Sequence, residues 1–227
     1  MFFILNFDYT YIVLFGHLLF EPMVMLTNLI FFILSVYFFN TLKKSVHPYG
    51  RQMGWFILFL GTSSVFGAIC HVVHYQLGDM FFNTTFFISK TLSLASIYYC
   101  FRAPYSYYTA RPNKYVINTA LAVIIGLMVF NFVQGTFALI EIIGGVVLIY
   151  SLVIHILVYK KTHERGSRLI IAGILISFLS IIVHLFKVSL HEWFNNKDLA
   201  HTIMIITLFF VGKGAVLNAK ALDEKTV

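Results

Sequence analysis

The stretch EPMVMLTNLIFFILSVYFFNTLKK, residues 21–44, decides the fold. Its apolar run, 22–42, carries no charge until the pair Lys43-Lys44. That is the length a helix needs to cross a hydrocarbon core of about 30 Å at about 1.5 Å per residue. Glu21-Pro22 reads as a helix start, with Pro at the first helical position and an acid at the positive end of the dipole. Six further apolar segments follow, at 52–75, 82–101, 115–133, 136–159, 168–190 and 198–218. Of the 227 residues, 59% are hydrophobic and 11% charged, against roughly 45–50% and about 25% in soluble domains. With a mean hydropathy of +0.86 and 25 phenylalanines, a water-soluble globule is excluded. The alternation of barrel strands is absent. The expected fold is therefore an all-α integral membrane protein, a seven-transmembrane-helix bundle forming one domain over 1–227, with 1–20 as an interfacial N-terminal segment.

The basic residues orient the bundle. Lys43, Lys44 and Arg51 follow the first segment; Arg102, Arg111 and Lys114 follow the third. Lys160, Lys161, Arg165 and Arg168 follow the fifth, and Lys220 and Lys225 end the chain. The alternate connections hold only Lys197. The positive-inside rule then predicts the N-terminus outside and the C-terminus cytoplasmic. The net charge of +7 is thus spent on topology, and no nucleic acid is expected as a partner. Met1–Leu5 lacks Lys and Arg and no small-x-small cleavage site follows, so no cleavable signal peptide is expected. Cys70 and Cys100 form no CxxC pair and read as buried, inert thiols.

Ionisable residues inside spans are costly, and each is a functional candidate. His71 and His74 lie three apart near the outer end of helix two, His184, Lys187 and His191 along one stripe of helix six, and Asp198 and His201 at the start of helix seven. Glu21 heads helix one, and Glu141 lies about one turn into helix five. The helix rise puts His71 about 6 Å and His184 about 9 Å below the outer ends of their helices, with His201 about 5 Å below the start of its own. Of nine histidines, His17, His71, His74, His184, His191 and His201 fall on the outer side. Imidazoles with a carboxylate are the ligand set of Zn²⁺, which in catalytic sites keeps three protein ligands and a water whose pKa falls to about 7. The expected metal ligands come from His71, His74, His184, Asp198 and His201, with Glu21 as a catalytic base or orienting group. Any single histidine of the six is more simply a hydrogen-bonded core residue; the clustering of the set favours a metal. Lys213 in the last helix invites a retinal reading, but helix three offers no acid at matching depth, only Lys90.

These features resemble the CREST superfamily of seven-helix membrane metallohydrolases, which includes alkaline ceramidases and the progestin/adipoQ receptors. EPMVMLTN (21–28) is similar to the opening of their first helix, SSVFGAICHVVH (63–74) to their helix-two Ser/His segment, and HEWFNNKDLAH (191–201) stands where their seventh-helix histidines lie. The sequence departs from that pattern: Gly67 and Cys70 stand four residues before the helix-two histidines, and Ile205 stands four after His201. The run FNNKD is also similar to one in an uncharacterised bacterial membrane family. The resemblance implies zinc held by histidines of helices two and seven, and cleavage of a lipid amide.

The functional expectation is a zinc-dependent hydrolase of a lipid amide or ester, multi-pass in a bacterial inner membrane, with its active site toward the extracytoplasmic side and lipid as substrate. Two alternatives come from other classes. One is a bis-His haem electron carrier, and the other a non-catalytic, metal-stabilised sensor or transporter.

Overall fold

The computed structural model describes residues 10–14, 17–109, 111–134, 138–191 and 193–225; at 14, 17–18, 71, 73–77 and 133–134 the description covers the backbone only. It is an all-helical bundle with a small N-terminal hairpin. Strands β1 (Tyr11–Leu14) and β2 (His17–Phe20) pair antiparallel, Tyr11 opposite Phe20 and Leu14 opposite His17. The segment expected simply to lie along the interface thus carries a two-stranded ribbon, built from an aromatic and aliphatic run that suits paired strands. The Glu21 N–H donates to the Thr10 carbonyl at 2.8 Å, tying the ribbon to the first helix.

The helices are α1 (Pro22–Leu42), α2 (Pro48–Tyr108), α3 (Lys114–Gln134), α4 (Ala138–Thr162), α5 (Arg165–Leu185) and α6 (Asn196–Glu224). Gly78 breaks α2 with φ 73° and ψ 177°, a region essentially confined to glycine. The two arms, 48–77 and 79–108, fold back on each other. The Ser63 hydroxyl meets Ser93 Oγ at 2.6 Å and donates to the Ser89 carbonyl at 2.9 Å, and Ser106 donates to Gln52 Oε1 at 2.7 Å. These pairs run in opposite senses along the two arms, so the arms are antiparallel.

Among the described residues six helices are long and apolar enough to cross a membrane: α1, the stretch Pro48–Cys70 of the first arm, Lys114–Phe132 of α3, α4, α5 and α6. The second arm, expected as the third span, stands outside that set. It carries Lys90 and a run of Ser, Thr and Tyr, and it spends these on contacts to the first arm. The sixth expected segment ends at Leu185 rather than 190. Lys187 adopts φ 49° and a bridge pairs His191 with Phe194, so Lys187 and His191 sit in a loop and leave the helical stripe expected of them.

The main core joins α1, both arms of α2, α5 and α6 around Phe31, Met53, Ile57, Ile170, Ile174 and Leu208. α3 is peripheral and packs on the second arm through Leu94, Tyr98 and Ile124. Its outer face leaves Val129 61% and Phe132 74% exposed, a face that suits lipid. α5 and α6 make the closest pairing. A Cβ on Gly214 would lie 2.6 Å from the Gly166 carbonyl oxygen, so only glycine allows the two backbones this approach.

The hinge is testable. Gly78→Ala puts a side chain where φ is positive although the space around it is open, and should lower stability by about 1–3 kcal/mol. Gly126→Ala, in the open face of α3, should be neutral or stabilising by up to about 1 kcal/mol. Thermal unfolding in detergent, followed by helical circular dichroism, separates the two.

Candidate functional site

The connections 43–47, 109–113 and 163–164 lie at one end of the bundle with the end of α6, and we call this the basic end. There Asp223 accepts from Ser45 Oγ at 2.9 Å and from the His47 N–H at 2.7 Å, and Lys225 pairs with Glu164 at 3.0 Å. The opposite end gathers the hairpin, the start of α1, the loop residues 186–191 and 193–195 and the start of α6.

At that opposite end Asn195 caps α6. Its Oδ1 accepts from the Lys197 N–H at 2.8 Å and the Asp198 N–H at 3.3 Å, while Asp198 Oδ2 accepts from the Asn195 N–H at 3.0 Å. This reciprocal capping box fixes the carboxylate of Asp198. Asp198 is only 2% exposed, and its second oxygen, Oδ1, has no hydrogen-bond partner. The neighbouring Lys197 reaches Glu21, whose carboxylate is 3% exposed, at 2.5 Å. Glu21 holds the N-cap position of α1 in a left-handed conformation, φ 48° and ψ 54°, but makes no cap bond with its side chain. Its charge is instead neutralised by Lys197, as a carboxylate this buried requires.

His201 lies three residues beyond Asp198 on the same face of α6 and is half-buried. His184 is exposed in the last turn of α5. His71 and His74 fall in the helical stretch before Gly78, but their side chains lie outside the described residues, as does that of His17. Among the described residues no three His, Cys, Asp or Glu side chains are arranged to hold a metal ion. The structure therefore brings Glu21, Lys197 and Asp198 together and sets His201 beside them, with His184 exposed on another helix.

Further along α6 from Asp198 and His201, Met204, Thr207, Leu208 and Val211 line a central cavity of about 520 Å³, to which Asp198 and His201 do not themselves contribute. α1, both arms of α2, α4 and α5 supply the other walls. The lining is apolar except for Glu141, the Cys100 thiol and the hydroxyls of five serines and Thr207. Ser177 and Ser180 donate to carbonyls of their own helix, at 2.6 and 2.7 Å, whereas Thr207 Oγ1 is buried without a partner. Exposed Glu141 and Ile181 belong to the lining, so the cavity reaches the surface between the first turn of α4 and the end of α5.

Beyond the floor of the cavity, toward the basic end, lies a polar cluster absent from the expected site. Asn218 Nδ2 donates to Tyr49 Oη and Ser167 Oγ, both at 3.3 Å. Ser167 Oγ lies 3.4 Å from Tyr107 Oη and 3.5 Å from His155 Nδ1, and the Tyr107 hydroxyl donates to Glu164. His155 is 0% exposed, and its Nε2, like Asn218 Oδ1, has no hydrogen-bond partner. Four helices contribute these groups at sequence separations of 12 to 169 residues, so no helix periodicity announces them. The available signal is the presence of Asn218 and His155 within otherwise apolar helices. At the edge of this region His47 caps α2, its Nδ1 accepting from the Tyr49 N–H at 3.2 Å. Burial lowers the His47 pKa below the usual histidine value, against the opposing pull of Asp223, and this favours the neutral ring that can accept.

Residues 23–220 match the family of unknown function DUF6962. The chain belongs to that family. The matched stretch contains α2 to α5 whole and α6 as far as Lys220, with Asp198, His201, the cavity lining and the polar cluster, and Glu21 lies just ahead of it. No curated protein and no solved structure matches the chain.

Removing Lys197 takes from the buried Glu21 carboxylate the cation at 2.5 Å, so Lys197→Met should destabilise by about 2 kcal/mol or more. The double variant Glu21→Gln/Lys197→Met should recover most of that loss. Chemical or thermal unfolding in detergent reads both, and equal losses in the single and double variants would show that the pair is not coupled.

Proposed function

We propose that the protein is a seven-span integral membrane protein, N-terminus outside and C-terminus cytoplasmic, that hydrolyses an amide or ester bond of a lipid at the end of the bundle holding Asp198. The observation that carries this reading is that α6 bears the buried carboxylate of Asp198 and the imidazole of His201 at its start and the cavity-lining Met204, Thr207 and Leu208 one to two turns further on. Asp198 and Met204 are separated by about 9 Å along the helix. An amphiphile with its chain in the cavity would therefore present its polar linkage at Asp198 and His201. A cavity of about 520 Å³ is within the usual range of ligand pockets.

The donor chemistry suits zinc. Asp198 Oδ1 is buried and without a hydrogen-bond partner, and a carboxylate oxygen left this way is satisfied by a cation or a proton. His71 and His74, with His201 and Asp198, would hold the ion, and His184 stands as a reserve member from α5. Zinc bound there would act as a Lewis acid on the scissile carbonyl and lower the pKa of water to about 7. Glu21 belongs with positioning: its pairing to Lys197 holds the start of α6, and with it Asp198, in place. The CREST resemblance supports the same assignment, and the inner membrane of a bacterium is its proposed location.

Elemental analysis of the detergent-purified chain should find about one zinc per chain, with loss in Asp198→Asn and His201→Ala. The wild type should hydrolyse ceramide or a simple acyl amide, and chelation should abolish turnover. Chelator-insensitive hydrolysis, or a Soret band in place of zinc, would defeat the proposal.

A further inference from the structure

A second cavity, of about 380 Å³, lies on the flank of the bundle at the basic end and is lined by Arg165, Arg168, Leu169 and Ala172 of α5 and Phe210 of α6. Its lining is divided. The two guanidinium groups belong to the first turn of α5, while Ala172 lies about 10 Å further along the helix from Arg165. The apolar floor exists because α5 and α6 touch closely through their glycines: a Cβ on Gly173 would meet Phe210 Cβ at 3.1 Å.

The two arginines differ from most of the basic side chains around them. Arg51 donates to the Ser45 and Val46 carbonyls, at 3.0 and 2.6 Å, and Lys225 pairs with Glu164. Lys43, Arg102 and Lys161 lie over the rings of Phe39, Tyr98 and Tyr108. Among the described residues neither Arg165 nor Arg168 has an acid, ring or carbonyl partner. The nearest acid in sequence, Glu164, is already engaged by Tyr107 and Lys225.

We infer that this groove is a binding site for an anionic glycerophospholipid. Arg165 and Arg168 would take the phosphate through their planar N–H forks. Leu169, Ala172 and Phe210 would take the glycerol esters and the first methylenes of a chain. Two positive charges against one phosphate favour a headgroup with net negative charge, and the lining includes no carboxylate to receive a choline or an ammonium group. The apolar floor selects a lipid over a free phosphate ion. The site is separate from the central cavity and does not depend on the hydrolytic reading.

Native mass spectrometry of the full chain in a non-ionic detergent tests this, titrating phosphatidylglycerol, phosphatidylcholine of the same chains, and inorganic phosphate. The wild type should bind phosphatidylglycerol at least tenfold more tightly than phosphatidylcholine, by a margin that shrinks with salt. Arg165→Gln/Arg168→Gln should abolish the preference. Ala172→Trp, which keeps both charges and fills the floor, should weaken phosphatidylglycerol at least fivefold and serves as well should the charge variant fail to fold. Equal binding of the two lipids by the wild type, a preference that survives either variant, or displacement of the lipid by equimolar inorganic phosphate would overturn the assignment.

Discussion

A polar group carried into hydrocarbon must find its partner within the protein, because there is no water to supply one. The helices meet this requirement for the backbone, and the hydroxyls meet it by turning back on their own helices. Thr27, Ser35, Thr62 and Thr85 each donate to a carbonyl four residues earlier, at 2.8 to 2.9 Å. Where one helix is too polar for lipid, it is doubled against another. The second arm of α2 lays its Ser89 and Ser93 on Ser63 of the first arm, and Gly78 supplies the backbone reversal that makes this possible.

Against that background the exceptions carry information. Besides atoms of Asn28, Thr91 and Asn131, the buried side-chain atoms without hydrogen-bond partners include Asp198 Oδ1, Thr207 Oγ1, His155 Nε2 and Asn218 Oδ1, and these four lie along the axis of the bundle's sites. The first belongs to the acid–histidine end, the second to the central cavity, and the last two to the polar cluster beyond its floor. Together they trace the interior of the bundle from one end to the other. Each orphan costs on the order of 1–3 kcal/mol if nothing joins it, so a ligand, an ion or an ordered water is worth most at these positions.

The charges at the two ends work differently. At the basic end Lys43, Arg51, Arg102, Lys114, Lys161 and Lys225 meet carbonyls, aromatic rings or Glu164, and Asp223 ties the end of α6 to Ser45 and His47. At the opposite end the pair of buried Glu21 with the partly exposed Lys197 links the first helix to the last. That pair fixes the capped start of α6 beside α1, and so fixes the carboxylate of Asp198 relative to the rest of the bundle.

Length and hydropathy alone made the helices legible: the runs expected from Pro22 and Tyr115 start within a residue of the observed α1 and α3, because a bilayer-crossing helix has little freedom in composition or length. Glu21 and Asp198 were legible as candidates for the same reason, since a charge in such a helix is conspicuous. The partnership of Glu21 with Lys197 was not legible, nor was the cluster of Tyr49, His155, Ser167 and Asn218. Those contacts join residues far apart in the chain, and helix periodicity reports only which side chains share a face. Which faces meet is decided by close packing, here by the glycine contact of α5 with α6 and by the reversal at Gly78, and such contacts leave no periodic trace in the order of residues.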